Sequence, residues 1–187
     1  MRIIAGKAKG YQIRIPKGEV RPTQDRVREA LFNILGSILP GARVLDLFCG
    51  SGSVGLEALS RGAASVCMVD SSRASCAASR RNLELSRLTG GHIVQSDCLQ
   101  FVRRDRGLYD IIFADPPYCK ALGDRDMIAE LMTDRLADLL TEDGYFIAEA
   151  QLGYGVGEAH SRDFPGWKLA DERSYGKNTL LLYQKDL

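Results

Sequence analysis

The sequence predicts an α/β fold: a doubly wound, mostly parallel sheet that ends in an antiparallel hairpin. Three observations carry this expectation. Short apolar runs at 44–48, 65–69, 92–95 and 111–114 alternate with segments of helical periodicity, the order in which crossover helices join parallel strands. The first run breaks into Gly50-Ser51-Gly52, and helical spacing resumes at Val54. The C-terminal segment holds two strand-like stretches around Gly176-Lys177-Asn178, the pattern of a tightly connected strand pair. A chain of 187 residues with 45% hydrophobic content is long enough to bury one such core.

The elements follow in order. Residues 1–24 form a basic arm, in which 2–4 and 11–15 alternate around Gly6 and Gly10 and predict a small hairpin. Val27, Ala30, Leu31, Ile34 and Leu35 fall at i, i+3, i+4, i+7 and i+8, an amphipathic helix from Asp25 to Gly36 with Thr23 or Asp25 as its cap. Beyond the first strand, a helix over 54–61 closes at Gly62, and a strand at 65–69 ends at Asp70. A helix over 73–87 precedes the strand at 92–95, and Ile111 to Ala114 supply a fourth. Residues 127–140 read as one helix with Ile128, Leu131, Met132, Leu136, Leu139 and Leu140 largely on one side. After Gly144 a strand spans 145–150, and 167–173 and 179–184 form the closing hairpin. Residues 25–187 therefore form one globular domain behind the arm.

The net charge of +1 is unevenly spread: residues 1–28 carry +6 and the remainder −5. A basic arm on a slightly acidic body is the footprint of a surface that meets phosphates. No eighteen-residue apolar run exists, and Arg2, Lys7 and Lys9 precede no apolar core of a signal peptide, so a cytoplasmic protein without a membrane span is expected. Cys49, Cys67, Cys76, Cys98 and Cys119 are an odd number without a Cys-x-x-Cys pair, and only His92 and His160 could join them. Neither a disulfide frame nor a metal site is expected.

The most informative motif is Asp115-Pro116-Pro117-Tyr118, placed directly after the fourth apolar run. Two prolines cannot continue a ladder, so the chain turns out of the sheet there. The Asp115 carboxylate and the Pro116 carbonyl become acceptors at a strand tip, with an aromatic close by. A lone Pro-Pro can mark nothing more than a rigid turn; its upstream partners give it meaning. Gly50-x-Gly52-x-x-Gly55 matches a nucleotide-cofactor turn, in which the first glycines let backbone approach a ligand and Gly55 lets helix and strand pack closely. Asp46, four residues before Gly50, would repel a pyrophosphate and suits a ligand with cationic groups. S-adenosylmethionine has an ammonium and a sulfonium and no phosphate. Asp46 could equally be a polar residue satisfied by backbone at the strand end. Asp70, twenty positions beyond Gly50, is placed for ribose hydroxyls or for capping the next helix, a role Ser71 or Ser72 could fill. Asp97 could accept from an adenine amine while the Cys98 backbone reads the ring, although such a dipeptide is also a common turn.

Asp46 with its glycine loop, Asp70, Asp97 and the Asp115-Pro116-Pro117-Tyr118 tetrapeptide resemble, in that order, class I S-adenosylmethionine methyltransferases acting on exocyclic nucleobase amines. Met1-Arg2-Ile3-Ile4-Ala5-Gly6-Lys7 and the run from Arg21-Pro22-Thr23 through Asn33 narrow the resemblance to the bacterial RsmD family, which methylates N2 of a guanine in 16S ribosomal RNA. The likeness extends to Tyr175-Gly176-Lys177 and Leu180 to Tyr183. It implies a Rossmann-like, seven-stranded, mostly parallel sheet with a C-terminal antiparallel hairpin, and S-adenosylmethionine as cofactor. It further implies Asp115, Pro116, Pro117 and Tyr118 as catalytic residues. Asp46, Phe48, Gly50, Ser51, Gly52, Asp70, Ser71, Asp97, Cys98 and Thr23 would bind the cofactor, and Arg2, Lys7, Lys9, Arg21, Arg26 and Arg28 the RNA. The implied partner is 16S ribosomal RNA within a small-subunit assembly particle, met by a monomeric enzyme. Asp70 stands where relatives often carry Glu, and the segment from Cys119 to Arg125 matches least. Methylation of adenine N6 or cytosine N4 makes the same demands on the loop. A non-catalytic assembly factor and an NAD-dependent dehydrogenase are the readings from other classes, the latter disfavoured by Asp46 and the Pro-Pro loop.

Overall fold

The computed structural model describes residues 1–15, 25–117, 125–151 and 163–186. Seven strands form one sheet in the order β3-β2-β1-β4-β5-β7-β6. The elements are α1 (Asp25–Ile34), β1 (Arg43–Leu47), α2 (Ser53–Ser60), β2 (Ser65–Asp70), α3 (Arg73–Ser86), β3 (Gly91–Gln95), α4 (Cys98–Arg104), β4 (Tyr109–Ala114), α5 (Met127–Leu131), α6 (Asp134–Ala137), β5 (Leu140–Gln151), β6 (Trp167–Tyr175) and β7 (Asn178–Lys185). Strands β1 to β5 pair in parallel, and β7 pairs antiparallel with both β5 and β6. This is the doubly wound sheet with a terminal hairpin that the sequence predicts, and Tyr175 and Asn178 pair across a two-residue connection.

The parallel strands are apolar on both faces because both are covered. Leu45, Leu47, Ile112, Phe146, Leu181 and Tyr183 belong to a core shared with α4, α5 and α6. Val44, Met68, Ile111, Phe113, Ile147 and Leu182 join α1 and α2 in the second core. Alternate residues of a strand thus enter alternate cores, as the two-residue period requires.

In the arm, Arg2 and Gln12 form an isolated antiparallel bridge; the Ile3 amide donates to Tyr11 O at 3.0 Å, the Gly10 amide to Ile3 O at 2.9 Å and the Ile13 amide to Met1 O at 3.0 Å. Two expectations change. The helix expected over 127–140 is two short ones. Thr133 leaves the helical region and caps α6 by accepting from the Leu136 amide, which ends α5 at Leu131. From Leu140 the chain is already strand, and the register with β4 shifts before Tyr145 resumes pairing with Ile111. Finally, α4 was not expected. Its signals are the cap residue Asp97 and buried Cys98, Leu99 and Val102, too few turns for periodicity to declare.

Candidate cofactor and base site

Strand order reverses between β1 and β4, since the chain winds outward through β2 and β3 on one side and through β4 and β5 on the other. A crevice opens at the carboxyl ends of the strands at such a point. The turns after β1, β2, β3 and β4 all leave from this edge, so Asp46, Asp70, Asp97 and Asp115 are brought to one rim. Ala114 pairs with Leu47, which puts Asp115 level with Phe48. Ala148 pairs with Ala114 on the other side, which puts buried Glu149 level with Asp115. The Asn178 side-chain amide donates to that Glu149 carboxylate.

The β1 turn alternates left-handed residues: φ is 60° at Phe48, 55° at Gly50 and 78° at Gly52. For Phe48 this conformation costs about 1 to 2 kcal/mol, and hydrogen bonds on every side hold it. The Cys49 amide donates to Val69 O at 3.0 Å, and the Gly52 amide to Cys49 O at 2.8 Å. The Gly50 amide donates to Asp70 Oδ2 at 2.9 Å. From α3, Ser79 Oγ donates to Gly50 O at 2.8 Å and Asn82 Nδ2 to Ser51 O at 3.0 Å. A methyl group at Gly52 would lie 3.1 Å from Ser79 Oγ, and one at Gly55 would lie 2.7 Å from the Met68 side chain. The glycines therefore permit both the turn and the close seating of α2 on the sheet.

Asp46 is 1% exposed, and its Oδ2 accepts from the Gly55 amide at 2.9 Å. Burial pushes its carboxyl up to about 8; that amide opposes the rise, while nearby Asp115 and Asp70 add to it. Asp70 Oδ1 accepts from the Ser72 amide at 2.8 Å, so this side chain joins the β2 turn to the β1 turn. The helix-capping role belongs to Ser72, whose Oγ accepts from the Ser75 amide, and Ser71 is exposed. Asp97 caps α4 through the Gln100 amide at 2.9 Å. Cys98 is buried, and burial pushes its thiol up to about 12. Asp115 is half-buried, Pro116 buried and Pro117 exposed, whereas Tyr118 and Thr23 lie outside the described residues. No described Lys or Arg pairs with Asp46 or Asp70. Carboxylates gathered around a glycine turn with so little cationic compensation suit a positively charged ligand and oppose a phosphate.

Of the cations expected to face RNA, Arg2, Lys7, Lys9 and Arg26 are exposed, and Arg21 lies outside the described residues. Arg28 requires a correction. It is fully buried, donates to the Arg2 carbonyl at 2.6 Å and to Asp25 Oδ1 at 3.0 Å, and stands 3.9 Å from Glu57. A guanidinium so enclosed cannot reach a phosphate; it ties α1 to the arm. Glu57, Ser79 and Asn82 were not anticipated. Their signal is a polar residue at a buried helix position, and Glu57 stands directly between Leu56 and Ala58.

The family model of conserved hypothetical protein 95 matches residues 1–184. The chain is 32% identical over 187 residues to ribosomal RNA small subunit methyltransferase D of Escherichia coli K12, covering 100% of this chain and 90% of that protein. It is 32% identical over 195 residues to YlbH of Bacillus subtilis, covering 99% of each. A solved Escherichia coli chain, yhhF, superposes with a TM-score of 0.83 at 33% identity, over 100% of this chain and 98% of that one.

Proposed function

This chain belongs to the conserved hypothetical protein 95 family, and from that premise we propose that it methylates the exocyclic N2 of one guanine in 16S ribosomal RNA. It is an S-adenosylmethionine-dependent methyltransferase of small-subunit ribosomal RNA. The observation that carries the amine-methylation reading is the placement of Asp115 and Pro116 at the switch point, level with the left-handed β1 turn and beside buried Glu149; guanine over adenine or cytosine rests on the resemblance of residues 1–7 and 21–33 to the RsmD family. In this reading the enzyme works as a monomer, in the cytoplasm, on a small-subunit assembly particle.

S-adenosylmethionine, when bound, supplies a methyl carbon made electrophilic by its sulfonium. Asp46 and Asp70 would hold its cationic and ribose portions, the main chain of Phe48, Gly50, Ser51 and Gly52 would contact it, and Asp97 with Cys98 would meet its adenine. Ser71, exposed at the β2 turn, and Thr23 would be further cofactor contacts. The N2 amine of guanine is a poor nucleophile because its lone pair is delocalised into the ring. By accepting its two N–H groups, the Asp115 carboxylate and the Pro116 carbonyl localise that lone pair and stabilise the positive charge that develops. Pro117 stiffens the turn, and Tyr118 stacks on the extruded base, where stacking is worth about 1 to 3 kcal/mol. Alignment of nitrogen and methyl can supply about 7 to 11 kcal/mol of the barrier reduction.

The test uses small-subunit particles from cells lacking this protein, incubated with the enzyme and methyl-tritiated cofactor, followed by nucleoside analysis of the 16S RNA. Label should appear in N2-methylguanosine. Label in N6-methyladenosine or N4-methylcytidine would overturn the guanine assignment, and undiminished labelling by Asp115→Ala would overturn the catalytic one.

A further inference from the structure

Asn82 lies on the inner face of α3, fully buried, with its amide bonded to two other parts of the chain. Nδ2 donates to the carbonyl of Arg14 at 2.9 Å and to that of Ser51 at 3.0 Å. Oδ1 accepts from the Arg14 amide at 3.0 Å and from the Tyr11 hydroxyl at 3.4 Å. One planar amide thus clamps both main-chain groups of an arm residue while its second N–H fixes a carbonyl of the β1 turn. Because the two N–H bonds share one plane, a shift of Ser51 reorients the amide and disturbs the clamp on Arg14. Ser79, one turn earlier on α3, restrains the adjacent Gly50 carbonyl.

We propose that Asn82 is a positioning residue that couples the RNA-contacting arm to the cofactor turn, so that filling the cofactor crevice tightens RNA binding and RNA tightens cofactor binding. The proposal rests on the reading that the arm contacts RNA. Such coupling is reciprocal by thermodynamic necessity. Arm docking does not depend on Asn82 alone. Ile3 and Ile13 pack on Leu56, and the Ala8 amide and Ala5 carbonyl bond Ser60 Oγ. Removing the amide therefore loosens the linkage without detaching the arm.

The measurement is the ratio of dissociation constants for small-subunit particles from cells lacking this protein, without and with saturating S-adenosylhomocysteine. Wild-type protein should show a ratio of about 5 or more. Asn82→Ala and Asn82→Asp, each lacking both N–H donors, should bring it close to 1. A purely structural loss would weaken both constants together and preserve the ratio, and a preserved ratio overturns the proposal. So does a wild-type ratio of 1. Should the variants fail to fold, hydrogen exchange on the wild-type protein decides: S-adenosylhomocysteine should slow the Arg14 amide, and an indifferent Arg14 amide overturns the coupling. The double variant Lys7→Ala, Lys9→Ala separates the two ideas. If it binds particles as wild type does, the arm reading fails, while Arg14 exchange still reports on the linkage.

Discussion

Glu57 concentrates more bonding than its position in an eight-residue helix would suggest. Its carboxylate accepts from the amides of Ile4 at 2.7 Å and Ala5 at 3.0 Å and from Arg61 Nε at 2.7 Å, with Arg28 facing it. Burial lowers the pKa of Arg28, an effect that Asp25 and Glu57 oppose. Its Nε and Nη1 find no hydrogen-bond acceptor among the described residues. Glu57→Ala would leave the buried Arg28 with Asp25 as its remaining described anion and two amides unmatched, and urea titration should show a loss of about 3 to 5 kcal/mol; Glu57→Gln should lose less. Asp46 gives a pH dependence. Its carboxyl is raised in the folded state to about 8, so between the unfolded value near 4 and about 8 the native protein holds a proton that the unfolded chain has shed. Stability without cofactor therefore falls as pH rises through that window. Asp46→Asn removes this dependence and can still accept from Gly55; its melting temperature should vary less than the wild type's between pH 5 and 8. Calorimetry should find its cofactor affinity reduced. Asp46, Asp70 and Asp115 are legible in sequence because each ends or interrupts an apolar run. Glu57, Ser79 and Asn82 are not, because all their partners but Arg61 lie 29 to 71 residues away and periodicity reports burial without naming what a buried group meets.

The arm shows how an element can be fixed by another element's surface. Gly6 has φ of 82°, and a methyl group there would lie 1.8 Å from Ser60 O, the same carbonyl that accepts from the Lys7 amide at 2.8 Å. Gly6→Ala should therefore lift the arm from α2, and hydrogen exchange at Lys7 and Ala8 should accelerate at least about tenfold, which corresponds to 1.4 kcal/mol or more of local opening. Strand positions and most helices were legible because apolar runs and helical spacing agree with one another. Helix α5 was overextended because apolar spacing persists across Thr133, where a side-chain cap and an extended backbone restart the helix. The alternation in the arm is legible because Ile3 and Ile13 are buried against Leu56, while its main-chain bonds across residues 1–3 and 10–13 are too few to form regular strands.

Across the whole molecule, the described part of the N-terminal cationic surface is Arg2, Lys7, Lys9, Arg14 and Arg26, with Arg28 withdrawn into the interior. Each phosphate neutralised on single-stranded RNA contributes about 0.7 to the slope of log affinity against log salt. Lys7→Ala with Lys9→Ala should therefore make that slope shallower by roughly 1.4 and weaken particle binding, as filter binding across a salt series would measure. The sheet itself is completed from the far end of the chain. Leu180, Leu181, Leu182 and Tyr183 are buried in β7, which fills the gap between β5 and β6. A chain shortened before Asn178 lacks β7, so β5 loses its antiparallel partner and should expose an open sheet edge of the kind that chaperones recognise.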